Sequence, residues 1–262
     1  MLIMQLFVLF AVSLLASIVG AVTGIGGGIL IKPSLDALRL MDIMTINFLS
    51  GCTVLTMTLY NTCTAVVTHD NMLKQDITLF LGIGAAVGGI GGKRLFAVMT
   101  SGIPSPHTIT IIQSSCMLIL TIVGFIYTLA KHRIKPKRLN GMAVKTVIGF
   151  ALGLVSAFLG IGGGPINLAV FRYFFTLDVK EAAQNSLAII LLSQLASLIY
   201  AFVTRSVPAF ESLALGIMAA CGIVGGIIGR GISKRISDKQ AELLFRSLMI
   251  VICAICVFNI IY

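Results

Sequence analysis

Charge is what this sequence has least of. Asp, Glu, Lys and Arg make up 11% of its 262 residues against 58% apolar, and the mean hydropathy is +1.06. A soluble domain carries about a quarter charged residues, so the composition excludes a water-soluble globule and leaves lipid as the solvent. Acid is scarcest, with nine Asp and Glu in all, and Asp36, Asp42, Asp178 and Glu181 lie near the ends of apolar stretches. That distribution excludes the intramembrane carboxylate relay of many pumps. His69, His107 and His132 lie in separate loops; no metal-ligand set, catalytic triad or carboxylate pair assembles, so neither a cofactor nor an enzyme is expected. The six cysteines, including the Cys253-x-x-Cys256 pair, sit inside apolar runs, where a thiol packs as a small hydrophobe rather than as a disulfide framework. No Lys or Arg precedes Lys32, so the N-terminus lacks the charged n-region of a secretory signal and residues 2–23 are expected to be retained.

Long apolar runs fill the rest. A spanning helix needs about 20 mostly apolar residues, and eight stretches qualify or nearly so: 2–31, 43–67, 77–100, 108–130, 145–171, 182–204, 209–233 and 243–262. In lipid each must satisfy its own backbone, which makes helices the default; the alternation of barrel strands is absent. The net charge of +10 concentrates in 131–145, where Lys131, Arg133, Lys135, Lys137, Arg138 and Lys145 meet no acid. Between apolar blocks this run reads as a cytoplasmic loop under the positive-inside bias, not as a nucleic-acid site.

Two stretches stand apart. Residues 24–28 and 160–164 both read Gly-Ile-Gly-Gly-Gly, with Pro33 and Pro165 nearby. Each interior glycine costs about 1 kcal/mol relative to alanine in a helix, so each stretch is expected to be a helix, an unwound turn and a short second helix. The runs are 136 residues apart, and Asp42 and Ser50 match Asp178 and Ser186 at the same offset. One residue later in register, Val87-Gly88-Gly89-Ile90 matches Val224-Gly225-Gly226-Ile227, and Gly92-Lys93 matches Gly229-Arg230. The expected fold is therefore an all-α polytopic membrane protein of two homologous repeats, each with a glycine-broken helix plus three spanning helices: 1–130, a basic cytoplasmic linker 131–144, and 145–262. If each broken stretch re-enters, the repeats cross an odd number of times and are inverted. The basic 230–239 segment then falls on the same side as the linker, and Lys93 and Arg94 face outside. That inverted arrangement is the one expected.

Helix breaks in matching positions of two halves point to a transporter site. A broken helix exposes unpaired N–H groups and the positive end of its dipole, which hold a small oxyanion. The candidate substrate-binding residues are Gly24, Gly26, Gly27, Gly28, Gly160, Gly162, Gly163 and Gly164 in the two turns. Beside them stand Lys32, Asn47, Ser50, Asn167, Asn185 and Ser186. For Gly88, Gly89, Gly92, Gly225, Gly226 and Gly229, close helix packing is the preferred reading. Interhelical hydrogen bonding competes with substrate contact for Ser50, Asn185 and Ser186, and snorkelling to the interface is the preferred reading of Lys32. Asn61, Gln113 and Gln194 rank lower.

With these motifs in view the chain resembles the TauE/SafE family over essentially its whole length. GIGGGILIKPSL at 24–35 is similar to the family's glycine run followed by proline and leucine, and EAAQNSLAIILLSQLAS from 181 is similar to the stretch after its second turn. Two departures are plain: Asn185-Ser186 stand where the family usually has Thr-Ser, and the second turn has Pro165 but lacks the later proline. The resemblance implies transport of sulfur oxyanions or organosulfonates such as sulfite, sulfoacetate or thiosulfate, often outward. The function expected is alternating access to a small anion around the glycine breaks in a multi-pass plasma (cytoplasmic, inner) membrane protein. Its expected partners are the anion and the bilayer, with no nucleic acid. A membrane scaffold without flux, or a channel for another small solute, are the competing classes. The sequence specifies neither a coupling ion, proton or sodium, nor an oligomeric state.

Overall fold

The computed structural model describes residues 2–70, 72–103, 105–131 and 136–262; His132, Arg133 and Lys135 of the basic linker lie outside the described residues. Among those described there are ten helices and no strand. They are α1 (Leu2–Thr23), α2 (Gly28–Leu38), α3 (Ile43–Val67), α4 (Gln75–Gly102), α5 (Pro106–Ala130), α6 (Met142–Leu159), α7 (Pro165–Phe175), α8 (Val179–Val203), α9 (Ser212–Arg235) and α10 (Asp238–Ile261). All except α2 and α7 are long and apolar enough to cross a membrane. Large apolar side chains stay exposed along these helices, among them Phe7, Leu59, Val87, Ile126 and Ile250, as lipid contact requires.

Both glycine runs break their helices. Gly24, Gly26, Gly160 and Gly162 have φ of 74°, 89°, 68° and 70°, a left-handed region that disfavours any side chain. Pro165 opens α7 at a position where no N–H is needed, and Asp42 and Asp178, matched in sequence, are the N-caps of α3 and α8. Two expectations shift. Arg230, Lys234 and Arg235 belong to α9 rather than to a loop, and α6 starts at Met142, inside the expected 131–144 linker.

Interhelical contacts tie the helix ends into two faces. On the first, Asn259 at the end of α10 donates to the Pro33 carbonyl of α2 at 3.0 Å, the Arg39 guanidinium meets the Tyr262 carbonyl, and Thr45 of α3 donates to the Ala209 carbonyl before α9 at 3.1 Å. On the second, Lys74 pairs with Glu181 at 2.8 Å, Asp70 with Arg230 at 3.0 Å, and Lys131 with Glu242. The linker joins that face too, since the Lys137 and Leu139 amides donate to the Tyr173 and Phe174 carbonyls at 2.9 and 3.0 Å.

Backbone contact at glycines sets helix direction. Gly84, Gly88 and Gly92 of α4 lie against Thr146, Phe150 and Leu154 of α6, so these two helices run parallel from the second face. Gly225 and Gly229 of α9 lie against Ser17 and Ala21 of α1, so this pair runs parallel from the first. Thus α1–α2 leaves and returns to the first face, and α6–α7 leaves and returns to the second. Gly89 faces Ser193 and Ser197 of α8, while Gly226 faces Met57 and Asn61 of α3, partners again separated by the 136-residue offset. The first and third helices of each set of five therefore pack on the fourth helix of the other set.

Asn185 belongs to this framework. Its Oδ1 accepts from the Lys74 amide at 2.9 Å and the Thr78 hydroxyl at 2.5 Å, and its Nδ2 donates to the Met72 and Glu181 carbonyls at 2.7 and 2.6 Å. All four of its hydrogen-bonding positions are occupied in pinning α8 to the start of α4.

A Cβ at Gly88 would overlap the Phe150 carbonyl, whereas one at Gly216 meets nothing within 4 Å. Gly88→Leu is expected to lower stability by about 3 kcal/mol, a fall of roughly 6 °C or more in the Tm of the detergent-solubilised protein, and Gly216→Leu to leave it unchanged. Asn185→Ala should cost about 3 kcal/mol, because it strands several buried partners; the same Tm measurement checks it.

Candidate functional site

The two breaks meet each other between the midpoints of α3 and α8. A Cβ at Gly28 would overlap the Ile161 carbonyl, and one at Gly163 would lie 2.6 Å from the Ile25 carbonyl oxygen. Val54 of α3 borders Gly28 and Gly162, while Ile190 of α8 borders Gly26 and Gly163; these two residues are themselves 136 apart. The outer glycine of each break crosses over as well, Gly24 resting on Ala183 and Gly160 on Asn47. At Gly24 and Gly28 the nearest neighbour is main chain, which cannot give way, so only glycine permits this approach there.

The consequence lies in the amides. The N–H groups of Ile25, Gly26, Gly27, Gly28 and Ile29, and those of Gly162, Gly163, Gly164 and Ile166, donate to no acceptor among the described residues. Ile25 and Ile29 are wholly buried. More than nine in ten buried backbone groups are ordinarily paired, so a cluster of bare donors from two helix N-termini is a polar site enclosed in apolar walls. The positive ends of the α2 and α7 dipoles converge there.

Side chains complete the site unevenly. Asn47 Oδ1, Ser50 Oγ, Asn167 Oδ1 and Ser156 Oγ are buried without a partner. Asn167 Nδ2 donates to Ser186 Oγ at 3.3 Å, joining α7 to α8. An amide side chain presents either its oxygen or its NH₂ by rotating half a turn, so the unpaired ends of Asn47 and Asn167 offer an acceptor in one orientation and a donor in the other. Between Ser156, Asn167, Thr121 and the second break lies a cavity of about 10 Å³, the volume of a single water. The breaks are closed upon each other, and a larger occupant requires them to separate.

Lys32 is not at the interface. Its ammonium lies 2.6 Å from Asp36 Oδ2, with the two side chains 3% and 4% exposed. The snorkelling expectation therefore fails: a carboxylate one helical turn away provides the partner that water would otherwise supply, and Asp36 is a buried acid although it stands near the end of α2. Being neutralised in place, Lys32 adds little net field at the breaks. Asn185, one residue before Ser186, points away into the framework contacts described above.

Two residues ranked low or missed by the sequence reading border the site. Gln194 Nε2 lies 2.8 Å from where a Cβ of Gly162 would be, and its Oε1 lies 3.2 Å from the matching point on Gly51. The other is Ser156, one turn before the second break. Their signal was the helical spacing of Ser186, Ile190 and Gln194 on one face of α8, and the position of Ser156 on the last turn of α6.

The comparisons agree with this architecture. The family model "Sulfite exporter TauE/SafE" matches residues 9–256. The chain is 26% identical over 272 residues to the probable membrane transporter protein YunE of Bacillus subtilis (strain 168), covering 95% of this chain and 96% of that protein. It is 33% identical over 96 residues to the probable membrane transporter protein MamO of Paramagnetospirillum magneticum (strain ATCC 700264 / AMB-1), covering 34% of this chain and 15% of that one. No solved structure matches. Spanned by eight apolar helices and matched across nearly its whole length, the chain is an integral multi-pass membrane transporter and belongs to the sulfite exporter TauE/SafE family.

Proposed function

We propose that this transporter carries a small sulfur oxyanion or organosulfonate, sulfite-like, by alternating access around the two glycine breaks in the plasma membrane. The single observation that carries the reading is the convergence of bare amide donors from both breaks at the middle of α3 and α8. Such donors recognise an oxyanion through its acceptor oxygens and the helix dipoles through its charge, so no free buried cation is required. Asn47, Ser50, Asn167 and Ser186 orient the anion from the surrounding helices, with Ser156 and Gln194 as additional contacts. The family description supports the sulfur oxyanion over other anions.

The moving parts in this mechanism are the two hairpins. The halves 1–130 and 145–262 are taken as inverted repeats, because one hairpin opens to the first face and the other to the second. Separating α1–α2 from its neighbours exposes the amides to one side, and separating α6–α7 exposes them to the other. Lys131, Lys137, Arg138 and the basic residues of 234–239 share the second face, which the positive-inside bias makes cytoplasmic; the N- and C-terminal helix ends then lie outside. Sulfite supplies its own titratable proton near neutral pH, so proton coupling needs no carboxylate relay.

Gly27→Val and Gly163→Val should abolish sulfite flux in proteoliposomes while the variants still insert and elute as monodisperse protein; wild-type flux in either would overturn the mechanism. Counterflow of labelled sulfite, with chloride, acetate and sodium as controls, tests the substrate class, and the expected result is exchange with sulfite-like anions alone. Asn167→Ala should raise KM for sulfite by about tenfold, the effect of one lost hydrogen bond to a charged ligand, with little change in Tm. An unchanged KM would remove Asn167 from the site.

A further inference from the structure

The second face holds a cavity of about 280 Å³ that the glycine-break reading does not use. Its lining includes Ala21, Ala183 and Leu187, and Ala183 is the residue on which Gly24 of the first break rests. Its charged lining is Lys180, Arg230 and Lys234 against the single carboxylate of Asp70. The cavity is thus a cation-rich chamber that reaches the first break through Ala183.

Arg230 is 6% exposed, and its guanidinium is strung among four acceptors. Nη1 donates to the Asn61 carbonyl and to Gln184 Oε1, both at 3.3 Å, and Nη2 donates to Asp70 Oδ2 at 3.0 Å and to Thr68 Oγ1 at 3.5 Å. Two buried donors of residues that line the chamber have no acceptor: Arg230 Nε and Gln184 Nε2. Because Gln184 Oε1 is held by Arg230, its amide orientation is set and Nε2 is a fixed donor. The one unused guanidinium donor, Nε–H, and a fixed amide N–H can each serve an oxygen of one oxyanion once Asp70 gives up Nη2. Arrangement of the repeats makes this feature one-sided. The register mates of Arg230 and Asp70 are Lys93 and Ser206, so the other face has the cation without the matching carboxylate.

We propose that this chamber is an entry site for the oxyanion on the second face, in which Arg230 and Gln184 bind the anion and Asp70 is the built-in competitor for Arg230. In this scheme the incoming anion takes Arg230 from Asp70, which breaks the ion pair that ties Asp70 to α9. The ligand class is that of the function proposed above, on which the inference rests.

The test is sulfite binding to the purified full chain in nanodiscs, by equilibrium dialysis, for wild type, Arg230→Gln, Asp70→Asn and Gly163→Val. Arg230→Gln should raise Kd by about tenfold or more, as expected for a lost charge-assisted hydrogen bond. Asp70→Asn should lower Kd by roughly three- to tenfold, because the competitor is gone while the cation stays. A purely structural ion pair gives no such opposition of sign: Kd unchanged in both variants, or raised in both, overturns the proposal. If Arg230→Gln does not fold, Asp70→Asn decides alone, tighter binding supporting the entry site and equal or weaker binding overturning it. If wild type binds no sulfite, the oxyanion reading itself fails, and the entry site with it. If wild type binds and Gly163→Val does not, while Arg230→Gln keeps wild-type Kd, only the entry site fails.

Discussion

Backbone N–H groups in a lipid interior have nowhere to go but to protein, and this molecule leaves a group of them unpaired at its centre. Along the interior of a spanning helix the ladder satisfies its own backbone, as a chain in hydrocarbon must. The breaks do not: the amides of Ile25–Gly28 and of Gly162–Gly164 meet no acceptor carbonyl among the described residues. An anion is the ligand that such a site stabilises most, because it supplies acceptor oxygens and meets the positive ends of two helix dipoles at once. The remaining architecture serves to hold two short helices, α2 and α7, with their N-termini inward at mid-membrane.

How that is done follows from close backbone packing. Apolar side chains gain little by leaving lipid for other apolar side chains, so helix association in a bilayer depends on van der Waals fit and small residues. The ladders Gly84–Gly88–Gly92 and Gly225–Gly229 provide it, each seating the first helix of one half on the fourth helix of the other. The breaks repeat the exchange: Gly24 rests on α8 and Gly160 on α3. Neither half encloses its own broken helix, so the site exists only where the halves interlock.

Much of this was legible in the residues. The eight spans follow from hydropathy, and the break positions follow from glycine clustering that no helix tolerates. The 136-residue register correctly paired Asp42 with Asp178, which turn out to be the two N-caps. Side-chain roles were less legible. Asn185 and Ser186 are neighbours in sequence but point about 100° apart around a helix, so one is consumed in the α4 contact while the other meets Asn167. Lys32 reads as an exposed or snorkelling cation until Asp36, one turn on, is seen to be buried with it. Arg230 reads as a topological charge, yet it is inside α9 and bonded to Asp70.

The sequence by itself determined the solvent, the number of apolar helices and the location of the two breaks, because each depends on local composition or on spacing along the chain. Only the tertiary structure decided that the breaks touch, that they lie midway along α3 and α8, and which polar side chains are left without partners. Those outcomes depend on contacts between segments more than a hundred residues apart, and on the rotation of each helix about its axis. Neither quantity is written in local periodicity when the helices are apolar on nearly every side.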